Sequence, residues 1–152
     1  MAGPIPPTAY GQWRLTDGTL QTLVAGTVAA TADTSGNQDF PAAVKLSDGG
    51  TVTQGTSKST TVVLNTHSGQ ITMHAAALAA AAEVTFTCTN STVGAAGAIV
   101  LNHGSAGTAG AYDASITAVA SGSFKATVAN RSAGSLSEAI VLNFAVIGGS
   151  AT

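Results

Sequence analysis

Apolar and polar residues alternate along much of this chain with a period of two. The clearest run is residues 83–89, where Val84, Phe86 and Cys88 fall on one face and Thr85, Thr87 and Thr89 on the other. Successive strand side chains point to opposite sides, so this run predicts a half-buried β-strand. Tyr112, Ala114, Ile116 and Ala118 alternate with Asp113, Ser115 and Thr117; Phe124, Ala126 and Val128 alternate with Lys125, Thr127 and Ala129. Residues 139–147 are largely apolar on both faces, with Ile140, Leu142, Phe144 and Val146 on one and Val141, Asn143, Ala145 and Ile147 on the other. That pattern predicts a strand that is central or covered on both sides.

Shorter runs at 44–46, 51–53, 60–64, 70–73 and 98–101 read as further strands. Asp48-Gly49-Gly50 predicts a hairpin turn between the first two, and Ser121-Gly122 another turn. Residues 104–110, built from Gly, Ala, Ser and Thr, predict a loop. Only the Ala-rich stretch 75–82 has helical character, and so short a helix is marginal without support, so it reads as a loop or at most one turn. About eight strands at such spacing predict an all-β fold, an antiparallel β-sandwich or jelly roll over residues 41–152.

Residues 1–40 differ. Pro4, Pro6 and Pro7 favour an extended start, Tyr10 and Trp13 bring two large aromatics into a stretch with little other bulk, and a Thr/Ala/Gly segment follows with Leu20, Leu23, Val24 and Val28 as its apolar points. Two readings stay open: a frayed terminus, or an extended N-terminal arm that docks on a partner. In the second, Tyr10, Trp13, Leu20 and Leu23 would be the anchors, because Trp and Tyr are enriched among residues that dominate binding.

Composition changes the picture in two ways. The 152 residues are 45% hydrophobic, yet only 5% are aromatic and much of the apolar count is Ala. Alanine buries little area, so the core of a lone chain would be thin. Only 8% of residues are charged and the net charge is −2, against roughly a quarter charged in ordinary soluble domains. A surface of Ser, Thr, Asn, Gly and Ala desolvates at small cost and suits contact with other protein, which predicts a homo-oligomer. The absence of a basic patch argues against nucleic acid. No apolar run approaches the length of a membrane span, and the N-terminus lacks the charged and apolar regions of a signal peptide.

The chemistry-bearing residues form no catalytic signature. Nucleophile-elbow, zinc-protease and phosphate-loop motifs are missing, and residues 104–110 precede a strand pattern where a dinucleotide loop needs a helix. No catalytic residue, cofactor or in-chain metal site is expected. His67, His74 and His103 fit no short metal motif, although one histidine from each of three chains on a threefold axis could make a tri-imidazole site. Glu83 and Asp113 are the carboxylates that a hydrolase reading would test first. Cys88, on the apolar face of its run, reads as a small hydrophobe. Asn90-Ser91-Thr92 and Asn130-Arg131-Ser132 match the glycosylation sequon.

Four blocks carry a resemblance to a known group. They are Lys45-Leu46-Ser47-Asp48-Gly49-Gly50-Thr51-Val52-Thr53-Gln54, Ser68-Gly69-Gln70-Ile71-Thr72-Met73, Val84-Thr85-Phe86-Thr87 and Ser135-Leu136-Ser137-Glu138-Ala139. The chain from Val44 to about Ile147 thereby resembles small virion structural proteins of tailed bacteriophages. That resemblance implies a capsid decoration (cement) protein: a trimeric subunit, made in the host bacterial cytoplasm, that binds the major capsid protein on the outer surface of the shell and stabilises it. The alternative it implies is a tail-fibre or head-fibre module that binds a host surface receptor.

Overall fold

Where apolar residues recur at every second position and β-branched residues fill the gaps, the chain extends. The computed structural model describes residues 48–148 and, before them, the backbone of four strands. In chain order the strands are β1 (Gln12–Thr16), β2 (Thr19–Val24), β3 (Thr27–Ala32), β4 (Gln38–Asp39), β5 (Gly49–Thr53), β6 (Val62–Val63), β7 (Ser68–Thr72), β8 (Glu83–Thr89), β9 (Ala98–Ser105), β10 (Tyr112–Ala120), β11 (Ser123–Asn130) and β12 (Val141–Ile147). No helix occurs among the described residues, so the fold is all-β.

The chain divides into two compact units between Lys45 and Leu46, where the sequence placed a border at residue 40. In the first unit, β1-β2-β3-β4 form an antiparallel meander. An extended arm was expected here, and the strand pairing corrects that expectation. Extended backbone must satisfy its N–H and C=O groups, and neighbouring Thr- and Val-rich segments do so by laddering.

The second unit holds two mixed four-stranded sheets, in the orders β5-β7-β12-β9 and β10-β11-β8-β6, not closed into a barrel. Most pairs are antiparallel, but β5 runs parallel to β7 and β6 parallel to β8. The antiparallel expectation is therefore corrected at two edges. The reason is visible at Gly50. The pair Gly49-Gly50 forms no hairpin turn; it opens β5, with Gly50 opposite Gly69 on β7. A Cβ on either glycine would lie 2.8 or 2.7 Å from a Leu64 methyl. These glycines serve a close approach of the Leu64 side chain to the sheet.

Each sheet turns one face to a shared core. Phe86, Cys88, Phe124, Ala126 and Val128 come from one sheet, and Ile71, Leu142, Phe144 and Val146 from the other, with Met73 and Ile140 beside them. The rings of Phe124 and Phe144 meet across the two sheets, with centroids 5.4 Å apart. Cys88 is fully buried, and burial pushes its thiol up to about 11. That fits its reading as a small hydrophobe.

Buried amides fasten the connections. Asn130, fully buried at the end of β11, donates from Nδ2 to the carbonyls of Leu78, Ala79 and Gly134. Its Oδ1 accepts from the backbone N–H and hydroxyl of Ser132. Asn90, buried at the end of β8, repeats the motif, with Oδ1 accepting from the Thr92 N–H and hydroxyl and Nδ2 donating to the Thr66 carbonyl. Both sequon matches are thus explained as structure: each Asn and its Ser or Thr make a local turn. Gln54 does similar work. It donates to the Lys58 and Thr60 carbonyls and accepts from the His74 N–H. Lys58, also buried, donates to the His74 and Glu138 carbonyls.

Candidate functional site

The two sheets present very different outer faces. Strands β5, β7, β12 and β9 contain no Asp, Glu, Lys or Arg. Their alternation sends Val52, Ile71, Leu142, Phe144, Ile99 and Leu101 inward. The other positions face outward, and register sorts them into rows. Thr51, Gln70, Asn143 and Asn102 stand side by side across all four strands. Beside them runs the row Gly49, Ser68, Ala145 and Val100. Ile147, opposite Ala98, extends the apolar end. Val100 and Ile147 are 52% and 54% exposed, two of only three large aliphatic side chains so exposed among the described residues. A shallow open depression lies on this sheet, lined by Thr51, Gln70, Asn143, Phe144 and the glycine-rich starts of β5 and β7. Asn143 is half-buried, and its Oδ1 is sealed from solvent with no hydrogen-bond donor among the described residues. The β12 strand is central in its sheet, as its pattern predicted, but among the described residues only its inner face is covered.

The opposite sheet carries the charge. Glu83 and Asp113 both stand opposite Ala129, on either side of β11. Arg131 reaches both, at 3.7 Å from Glu83 and 3.1 Å from Asp113. Lys125 faces outward on the same strand. Between them Thr85, Thr127 and Thr117 join hydroxyls at 2.8 and 3.1 Å. This is a solvated face, where exposed ion pairs contribute little. The carboxylates of a hydrolase reading are here engaged by one arginine on an open sheet.

The histidines lie in separate surroundings. The His67 ring bonds to Asp48, and this contact holds the Asp48 carboxyl below its ordinary range. His74 Nδ1 accepts from the Ala76 N–H. His103 meets the Tyr112 ring edge-on at 5.9 Å. Its Nε2 lies within hydrogen-bond distance of the Ser105 and Ala106 carbonyls. Among the described residues no three His, Cys, Asp or Glu side chains gather to hold a metal.

The Gly-rich segment starts later than expected, because β9 continues through Ser105. Ala106 and Gly107 then take positive φ, at 61° and 84°. Glu138 holds this loop: its Oε1 accepts from the Thr108 hydroxyl at 2.8 Å. Bonds from the Thr108 backbone and hydroxyl draw the Glu138 carboxyl below its ordinary range, with Tyr112 and the Lys58 charge adding to them. Burial, and then Glu138, raise the Tyr112 hydroxyl. The hydroxyl and Glu138 Oε2 are both sealed, yet neither completes a hydrogen bond. The loop is a braced connection between β9 and β10.

Of the expected anchors, Tyr10 lies outside the described residues. Trp13 stands opposite Thr22, Leu20 opposite Leu15 and Leu23 opposite Gln12 in the β1–β2 ladder. The amide row was not anticipated; its signal is spread over three strands and emerges only when register is known. No known family, characterised protein or solved structure matches the chain.

Proposed function

We propose that this protein is a non-catalytic structural subunit of a multi-copy assembly, in its specific form a bacteriophage capsid decoration protein bound to the outer surface of the major capsid shell. One observation carries the reading: the charges on the strands of the second unit gather on one sheet, while the other sheet offers an uncharged outer face with Val100 and Ile147 exposed. Covering uncharged Thr, Asn, Gln and aliphatic side chains leaves no ion stripped of water, which is what strands a charged face in solvent. The two sheets are read as a β-sandwich whose uncharged side faces protein. No helix of the described residues is long and apolar enough to cross a membrane. The sequence blocks that resemble phage virion proteins supply the particular assembly.

Binding to shells tests this. Purified capsids lacking the protein, mixed with it, should sediment with it in a fixed ratio and resist heating better. Saturating protein that stays in the supernatant would sink the decoration reading.

A further inference from the structure

We infer that native folding and glycan attachment at Asn90 and Asn130 exclude each other, so this chain reaches its native state only where no N-linked oligosaccharide transfer acts. The inference is independent of the assembly reading above.

Asn90-Ser91-Thr92 and Asn130-Arg131-Ser132 are the two sequons of the whole sequence. A sequon that carries a glycan lies on the surface, because the sugar is bulky and hydrated. Both asparagines here are fully buried. Their Nδ2 atoms, which would carry the sugar, are also the donors that fasten the connections. Asn90 Nδ2 donates to the Thr66 carbonyl at 2.8 Å, and Asn130 Nδ2 donates to the carbonyls of Leu78, Ala79 and Gly134 at 3.0, 3.0 and 2.8 Å. The hydroxyl of each sequon is engaged as well. Thr92 Oγ1 and Ser132 Oγ each donate to the Oδ1 of their own asparagine at 2.7 Å. The folded sequons therefore present neither nitrogen nor hydroxyl to an enzyme.

Transfer is open only to the unfolded chain. There the oligosaccharide passes from a lipid-pyrophosphate donor. The bond from the sugar's anomeric carbon to Nδ2 forms, its bond to the phosphate oxygen breaks, Nδ2 gives up one proton, and lipid pyrophosphate leaves. The modified amide keeps a single N–H and carries a large hydrated group. On Asn130 that group would point at three backbone carbonyls in a site closed to solvent. Burying its hydroxyls without partners is costly, and leaving them in water keeps the turn open. These turns end β8 and β11, the two inner strands of their sheet. A turn that does not close there unseats core strands, not a surface loop.

The full chain, directed into the secretory pathway of mammalian cells by a cleavable signal sequence, tests this. Wild type should acquire glycan, seen as a mobility shift that an N-glycosidase reverses. Its secreted yield should fall several-fold below that of the double variant Thr92→Ala/Ser132→Ala. That variant has no sequon but keeps both asparagines and the backbone N–H bonds to their Oδ1. Blocking synthesis of the lipid-linked donor should restore secretion of the wild type, with no substitution at all. Wild type secreted with glycan on either asparagine, and as resistant to protease as the double variant, overturns the inference. Wild type secreted in full yield without glycan also overturns it, since folding would then outrun transfer. Retention that persists when the donor is blocked does so too. None of these outcomes touches shell binding, which the capsid experiment decides.

Discussion

Replacing Asn130 by alanine removes the donor that ties β11 to two connections. Its Nδ2 spans the carbonyls of Leu78, Ala79 and Gly134 at 3.0, 3.0 and 2.8 Å, and its Oδ1 accepts twice from Ser132. The three carbonyls are not orphaned by the change. Leu78 O still receives the Leu136 N–H, Ala79 O the Ala82 N–H, and Gly134 O the Ser132 hydroxyl. The cost is therefore that of lost bonds and a small cavity: with about 1 kcal/mol net for each of the five bonds, Asn130→Ala should lose about 5 kcal/mol. Asn130→Asp should lose at least as much, because a carboxylate oxygen would then face carbonyl oxygens in a sealed site. Asn90→Ala should lose less, about 3 kcal/mol for its three bonds, since Nδ2 there serves the single Thr66 carbonyl. Urea unfolding followed by circular dichroism gives the three values, with an unchanged slope expected for each. Losses below about 1 kcal/mol for both alanine variants, or Asn90→Ala costing more than Asn130→Ala, would refute the clasp.

Three further outcomes follow from individual contacts. Because the Glu138 pKa is lowered, its contribution is present above the ordinary value of 4.5 and is lost as pH falls through the folded value; urea midpoints should drop on acidification, and less so in Glu138→Gln. A midpoint with the same acid response in both proteins would contradict the brace. Gly107→Ala should cost about 2–3 kcal/mol, because φ is +84° and the new Cβ would sit 2.6 Å from Ile140 Cγ2, whereas Ala106→Gly should be neutral or stabilising; thermal melts that rank them the other way would be decisive against this. Cys88, fully buried with its thiol pushed up to about 11, should resist a thiol reagent at pH 8 in the native protein and react on unfolding. Rapid native labelling would show that the core opens.

How much of this was legible follows from what sequence can encode. The strand β8 was read with its bounds, because Val84, Phe86 and Cys88 pack on one side and three threonines face solvent on the other. The strands β11 and β12 were readable on the same ground. Gly49-Gly50 misled, because glycine marks both a turn and a close approach, and only the position of Leu64 tells them apart. Asp17-Gly18 between β1 and β2 is a two-residue hairpin signal that the reading of an arm passed over. β5 and β6 reach their parallel partners across the connections 54–67 and 64–82, and local periodicity does not record strand direction. The amide row depends on register between β7, β12 and β9, so each of Gln70, Asn143 and Asn102 looked unremarkable alone.

The most direct measurement is cryo-electron microscopy of a phage particle that encodes this chain. The account predicts repeated density for it on the outside of the capsid, with the β5-β7-β12-β9 face covered by protein and the face bearing Glu83, Asp113 and Arg131 turned to solvent. A particle without the chain, or one in which the uncharged face lies open to water, would contradict the account.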